Sequence, residues 1–168
     1  LDILKKRQVK ATFFSIGRDD AFSKKMYQRI VKEGHTLGMH SYSHQYKEIY
    51  QSMDAFQADY ERISNCLTAA TGIKPLYYRF PGGSTEVTEK LQMTDLDAYF
   101  NAQGASYFDW NVIAANNTTD DVSVNKMVDS VMNGVALYDT SIVLMYDSVD
   151  RKMTAKSLDS ILDYLLKN

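Results

Sequence analysis

His40 and His44, two of the three histidines in the chain, stand four residues apart in Gly38-Met39-His40-Ser41-Tyr42-Ser43-His44. Neutral imidazole is the commonest metal-ligating side chain. Two of them on one short segment can chelate a cation with little chain entropy left to lose. The chemistry this suggests is binding of a divalent metal; the alternative is that each ring caps or lines a loop. His40 follows the apolar Thr36-Leu37-Gly38-Met39, so the pair leaves the end of a strand rather than riding on a helix. Parallel α/β folds carry their chemistry at strand ends. Three further apolar runs end in Arg79 with Pro81-Gly82, in Asp109-Trp110 and in Tyr146-Asp147, so four sets of reactive or binding side chains would share one rim.

The elements that must position them alternate. Leu1, Ile3 and Leu4 ahead of Lys5-Lys6-Arg7 predict the tail of an amphipathic helix with a solvated basic face. Val9–Gly17 reads as a buried strand, then Phe22, Met26, Ile30 and Val31 mark a helix stopped by Gly34. The His40 strand follows, with a polar loop to about Tyr50. Phe56, Tyr60, Ile63 and Leu67 mark a helix capped by Ser52 or Asp54 and stopped by Gly72. Leu76–Phe80 is a third strand, Thr94–Gly104 a helix, Tyr107–Val112 a fourth strand, and Val124–Val131 a helix ending at Gly134. Ser141–Tyr146 is the most apolar strand and Leu158–Leu165 a terminal helix. Five strand-then-helix units with strands apolar on both faces predict a parallel sheet covered by helices, open or curled into a barrel.

At 168 residues the chain has the length of one domain with a real core, and 45% hydrophobic against 24% charged residues is a globular composition. A net charge of −2 with scattered lysines and arginines offers no nucleic-acid surface, and no apolar run approaches a membrane span. The single Cys66 falls in a helical pattern, which excludes a disulfide framework and a cysteine-based metal site and predicts a buried small residue. Twelve tyrosines suit a sugar-stacking groove and equally an aromatic core. Asn116 and Asn117 match the glycosylation pattern, which has no meaning in a bacterium.

These residues resemble the polysaccharide deacetylases of carbohydrate esterase family 4, the NodB homology domain. His40-Ser41-Tyr42-Ser43-His44 matches the family's second motif, His-Ser/Thr-x-x-His. Arg79-Phe80-Pro81-Gly82-Gly83 is similar to its third, Arg-x-Pro-Tyr-Gly, with Gly82 in place of the tyrosine. Asp109-Trp110 matches the end of the fourth. Leu1–Lys6 and Val9–Phe14 resemble the stretch that follows the first motif. The resemblance implies a deformed (β/α) barrel and a single polysaccharide deacetylase domain over residues 1–168, N-terminally incomplete, its first strand missing and its edge beside Val9–Gly17 in need of cover.

It further implies a metal-dependent hydrolase that removes acetyl groups from a polysaccharide. N-acetylglucosamine units of peptidoglycan or of a chitin-like glycan are the expected substrate. His40 and His44 would hold a divalent metal, zinc by expectation, polarising the acetyl carbonyl and bringing the pKa of water towards roughly 7. The Gly82 amide would help hold the oxyanion, next to Pro81. Trp110 would wall the acetyl pocket, Leu144 would pack the methyl group and Arg79 would orient the base. Asp109 would support the proton donor. A monomer acting outside the cell or in the cell envelope, with an acetylated glycan as its partner, is expected.

Two departures accompany the matches. The first motif, Thr-Phe-Asp-Asp-Gly, which supplies the general base and a third metal ligand in the family, would lie before Leu1; Asp19-Asp20 falls in a turn after a later strand and is not its equivalent. The fifth motif, Leu-x-His, reads Leu144-Met145-Tyr146, so a tyrosine stands where the family has its general-acid histidine. The alternative function is therefore a catalytically impaired member that keeps the groove to bind glycan.

Overall fold

A computed structural model describes residues 1–87, 91–115, 122–148 and 152–167; Asn116 and Asn117 lie outside the described residues. The chain forms two compact units, one centred on Ile3–Asp109 and the other on Trp110–Asn168.

In the first unit, helix α1 (Asp2–Arg7) precedes a four-stranded parallel sheet of β1 (Thr12–Ser15), β2 (Thr36–Met39), β3 (Tyr77–Tyr78) and β4 (Ser106–Tyr107), in that spatial order. Helices α2 (Ala21–Lys32), α3 (Tyr46–Ile49), α4 (Met53–Thr71) and α5 (Met93–Gln103) fill the connections. The caps are those the residue types call for: the Ser52 hydroxyl accepts from Ala55 N at 3.2 Å, and Gly72 closes α4 in the left-handed conformation. Strand β1 pairs only with β2 among the described residues and so forms an edge.

Two expectations are corrected here. The polar run after His44 contains α3, too short to show a periodicity. The fourth apolar run splits, β4 pairing with β3 and a separate strand following in the second unit, so the chain has six short strands rather than five among the described residues.

The core of this unit is aromatic. Phe56 and Tyr60 of α4 meet Tyr78, Phe80, Tyr99 and Phe100 with ring centroids 5.3–6.2 Å apart, edge to face or tilted. Much of the chain's tyrosine content thus serves the core. Phe56 is fully buried, and Phe56→Ala is expected to lower the free energy of unfolding by about 3–5 kcal/mol, read as a lower urea midpoint at unchanged slope.

The second unit pairs β5 (Val112–Ile113) with β6 (Val143–Leu144) in parallel and packs α6 (Val124–Val135) with α7 (Lys152–Leu165). Ala114, Met127, Val131 and Ile161 form its buried cluster. Helix α6 runs through Gly134 instead of stopping there. A Cβ at that glycine would come within 2.6 Å of Val112 Cγ1, so the glycine marks a close approach of helix and strand, not a helix end. No helix among the described residues is long and apolar enough to cross a membrane.

Candidate active site

His40 is the first residue past β2, and the ladder does not end with the strand. His40 N donates to Ser15 O at 2.9 Å and Gly17 N to Ser41 O at 3.1 Å, so the histidine turn is zipped onto the end of β1. Arg79 N donates to Met39 O at 2.9 Å on the other side. Two bare backbones make room for the rings that wedge this region. Phe14 lies across Gly38, where a Cβ would meet its ring at 2.7 Å, and the Arg79 guanidinium covers that ring at 4.3 Å. Tyr42 lies across Gly17, where a Cβ would meet it at 2.2 Å, and Arg62 covers it at 3.7 Å.

The turn itself carries backbone that L-residues rarely adopt, with φ of 70° at Ser41 and 56° at His44. Such backbone costs about 1–3 kcal/mol per residue and persists where its surroundings fix it. Asp59 of α4 does so by accepting from Tyr42 N at 2.8 Å and Ser43 N at 2.9 Å, while the buried Ser41 hydroxyl accepts from His44 N at 2.9 Å.

The result is two imidazoles with centroids 5.1 Å apart. His40 Nδ1 lies 2.8 Å from Arg79 O; a carbonyl only accepts, so Nδ1 carries the proton and Nε2 keeps its lone pair. Burial pushes the His40 pKa down to about 4, opposed by the hydrogen bond to Arg79 O and helped by the charges of His44 and Arg79. Burial also lowers that of His44, helped by the Arg18 charge and opposed by Asp59. Both rings are therefore neutral at physiological pH, the form that ligates a divalent metal, and the donor chemistry fits such an ion. The two rings stand without a third partner: no cluster of three or more His, Cys, Asp or Glu side chains suited to a metal occurs among the described residues.

Arg79 is buried, with Nε donating to Phe108 O at 3.0 Å and a terminal nitrogen to Asp109 O at 3.2 Å. It thereby ties the end of β3 to the segment after β4. Pro81 is buried and its carbonyl accepts from the Tyr50 hydroxyl at 2.8 Å. Gly82 is exposed with φ +80°, and its amide donates to no acceptor among the described residues. The Asp109 carboxylate accepts from Ser84 N at 3.1 and 3.2 Å and from the Ser84 hydroxyl. In the first unit, then, His40, His44, Arg79, Pro81, Gly82 and Asp109 all fall at the C-terminal ends of β2, β3 and β4. In the second, Trp110 lies half-buried two residues before β5, Leu144 is buried on β6 and Tyr146 is half-buried two residues after it.

Reasoning from sequence missed Asp59, Ser41, Tyr50 and Ser84. Only Asp59 left a trace, a carboxylate three residues after Phe56 and four before Ile63 on the buried stripe of α4.

A family model for polysaccharide deacetylases matches residues 1–100. The chain belongs to the polysaccharide deacetylase family. The catalytic domain of a peptidoglycan N-acetylglucosamine deacetylase from Eubacterium rectale superposes with a TM-score of 0.88 at 32% identity, over 99% of this chain and 76% of that one. A family 4 carbohydrate esterase from Streptococcus mutans gives 0.88 at 28% identity, over 99% and 74%. The peptidoglycan-N-acetylglucosamine deacetylase of Bacillus cereus is 28% identical over 132 residues, 79% of this chain and 48% of that protein. The chain spans less than half the length of the curated relatives it matches. The fold is that of polysaccharide deacetylase catalytic domains, α/β with parallel strands.

Proposed function

We propose that this chain carries the catalytic machinery of a metal-dependent polysaccharide deacetylase acting on N-acetylglucosamine units of a cell-envelope glycan. The observation that supports this most is the His40–His44 pair, neutral, 5.1 Å apart and with the His40 tautomer set by Arg79 O. Membership of a family whose relatives include proteins named as peptidoglycan deacetylases supports the substrate class. Residues 1–168 are read as one polysaccharide deacetylase domain.

His40 Nε2 and a nitrogen of His44 would hold the ion, zinc by preference, with further ligands from outside this pair. Bound there, a divalent cation supplies Lewis-acid activation of the acetyl carbonyl and of water. The Gly82 amide, exposed and uncommitted, is available to the oxyanion, and the Tyr50 hydroxyl holds Pro81 beside it in place. Arg79 positions through its main chain, its carbonyl orienting His40, whereas Asp109 offers a side-chain carboxylate that Ser84 fixes. The proposal keeps for Trp110 the acetyl wall, for Leu144 the methyl contact and for Tyr146 the proton donor, as the family resemblance implies.

Asp59→Ala removes the acceptor of two turn amides and is expected to weaken zinc binding about 10–100-fold, the usual cost of losing a residue that orients a ligand; zinc titration by calorimetry checks it. Acetate release from N-acetylglucosamine tetramer by the zinc-supplied protein tests the function, and release from neither that tetramer nor acetylated xylan would contradict it. The second reading, a glycan-binding member with little turnover, is favoured by one feature, Tyr146 at the position of the family's histidine. Binding of the tetramer without acetate release would select it.

A further inference from the structure

Gly82 departs from the family pattern, and the space a side chain would need there is already taken. With φ at +80°, a Cβ on residue 82 would come within 2.5 Å of Glu86 Cγ, 3.0 Å of Glu86 Cβ and 3.0 Å of Tyr46 Cε2. One ring therefore stands against the Gly82 backbone, and it comes from α3. The same ring meets the His44 imidazole edge to face at 5.3 Å and Tyr50 at 6.3 Å. Tyr50 is itself anchored, buried and donating to Pro81 O at 2.8 Å, so the position of Tyr46 is set from both sides. Tyr46 nonetheless keeps 37% of its surface in solvent.

An exposed aromatic between a candidate metal ligand and a free backbone amide borders the place where an acetyl group must enter. The sugar that carries it must then pass over that ring. A pyranose presents a face of C–H groups that packs on an aromatic face, and substrate sites use such walls to orient ligands.

Resting on the deacetylase reading above, we propose that Tyr46 is a substrate-binding residue, an aromatic platform for the N-acetylhexosamine whose acetyl group is removed. It takes the place in this chain of the side chain that residue 82 lacks. Its ring face, not its hydroxyl, does the work.

Calorimetric titration of the protein with N-acetylglucosamine tetramer, in chelator so that no turnover competes, tests this with three proteins: unmodified, Tyr46→Phe and Tyr46→Leu. Leucine keeps an apolar contact against Gly82 and His44, so loss of binding is not loss of the turn, and equal melting temperatures confirm that. Phenylalanine is expected to bind within about twofold of the unmodified protein and leucine about tenfold more weakly, the size of one aromatic contact. Leucine binding as tightly as tyrosine would overturn the proposal and leave the deacetylase reading standing. Phenylalanine as weak as leucine would overturn it too, by assigning the effect to the hydroxyl. An unmodified protein that neither binds the tetramer nor, with zinc, releases acetate from it would overturn both.

Discussion

Alanine at His40 or at His44 is expected to reduce zinc affinity by more than the ~10–100-fold that loss of an orienting partner costs, and to take acetate release down with it. The reason is the small number of donors. Only two imidazoles converge, so either replacement leaves a single protein ligand among the described residues, and one imidazole holds a zinc ion no better than free imidazole does. The two variants should also differ in kind. His40 Nδ1 donates to Arg79 O, so His40→Ala removes that hydrogen bond and should cost stability as well as metal. His44 is half-buried like His40, but among the described residues its ring makes no comparable bond to the main chain of another residue, so His44→Ala should lose metal with a smaller fall in melting temperature. Zinc calorimetry and thermal melts on both variants check the pattern.

Tyr146→His is expected to raise turnover, and to raise it more on an amide than on an ester. A departing nitrogen must be protonated before its bond to carbon breaks, whereas an ester oxygen needs less complete proton transfer. Phenols titrate near pKa ~10 and imidazoles near ~6.5, so histidine is the better donor and acceptor at neutral pH. General acid catalysis is worth ~10²–10⁴-fold, which bounds the gain on N-acetylglucosamine oligomers; on acetylated xylan the gain should be smaller. The comparison is made in a chain that also carries a Thr-Phe-Asp-Asp-Gly segment at its N-terminus, so that the base is not limiting. Equal rates for both residues on the amide would mean that another group or a water delivers the proton.

What could be seen in the sequence was what is local. His40 and His44 are four residues apart, and the apolar stretch before them announces a strand end. The helix stops at Gly34, Gly72 and Gly104 follow from backbone chemistry that needs no tertiary knowledge: each has positive φ where a helix must turn out. What stayed hidden is what comes from elsewhere in the chain. Asp59, which holds the histidine turn, reaches back 16 and 17 residues from the middle of α4. Tyr50 reaches forward 31 residues to Pro81, and Ser84 reaches 25 residues to Asp109.

The fourth apolar run misled for a related reason. Its apolar residues recur from Tyr107 to Val112 around Asp109 and Asn111, but Phe108 N donates to Tyr78 O whereas Asn111 N donates to Ile142 O, so the run changes partners within three residues. The Asn111 side chain marks the change, donating to Thr140 O at 2.9 Å and accepting from Ile142 N at 2.7 Å. Periodicity reports burial, not the identity of the neighbour, and cannot register such a switch. Gly134 misled likewise, because a glycine that admits Val112 looks the same in sequence as one that ends a helix.

X-ray absorption at the zinc edge of the zinc-supplied protein tests the central claim most directly, since it reads the ligands of the ion rather than the consequences of losing them. The account predicts one zinc per chain with two imidazoles in its shell at ~2.0–2.1 Å and oxygen in the remaining positions, the imidazole signal falling by half or more in His40→Ala and in His44→Ala. A shell of oxygen alone, or an imidazole signal unchanged by either replacement, would contradict it.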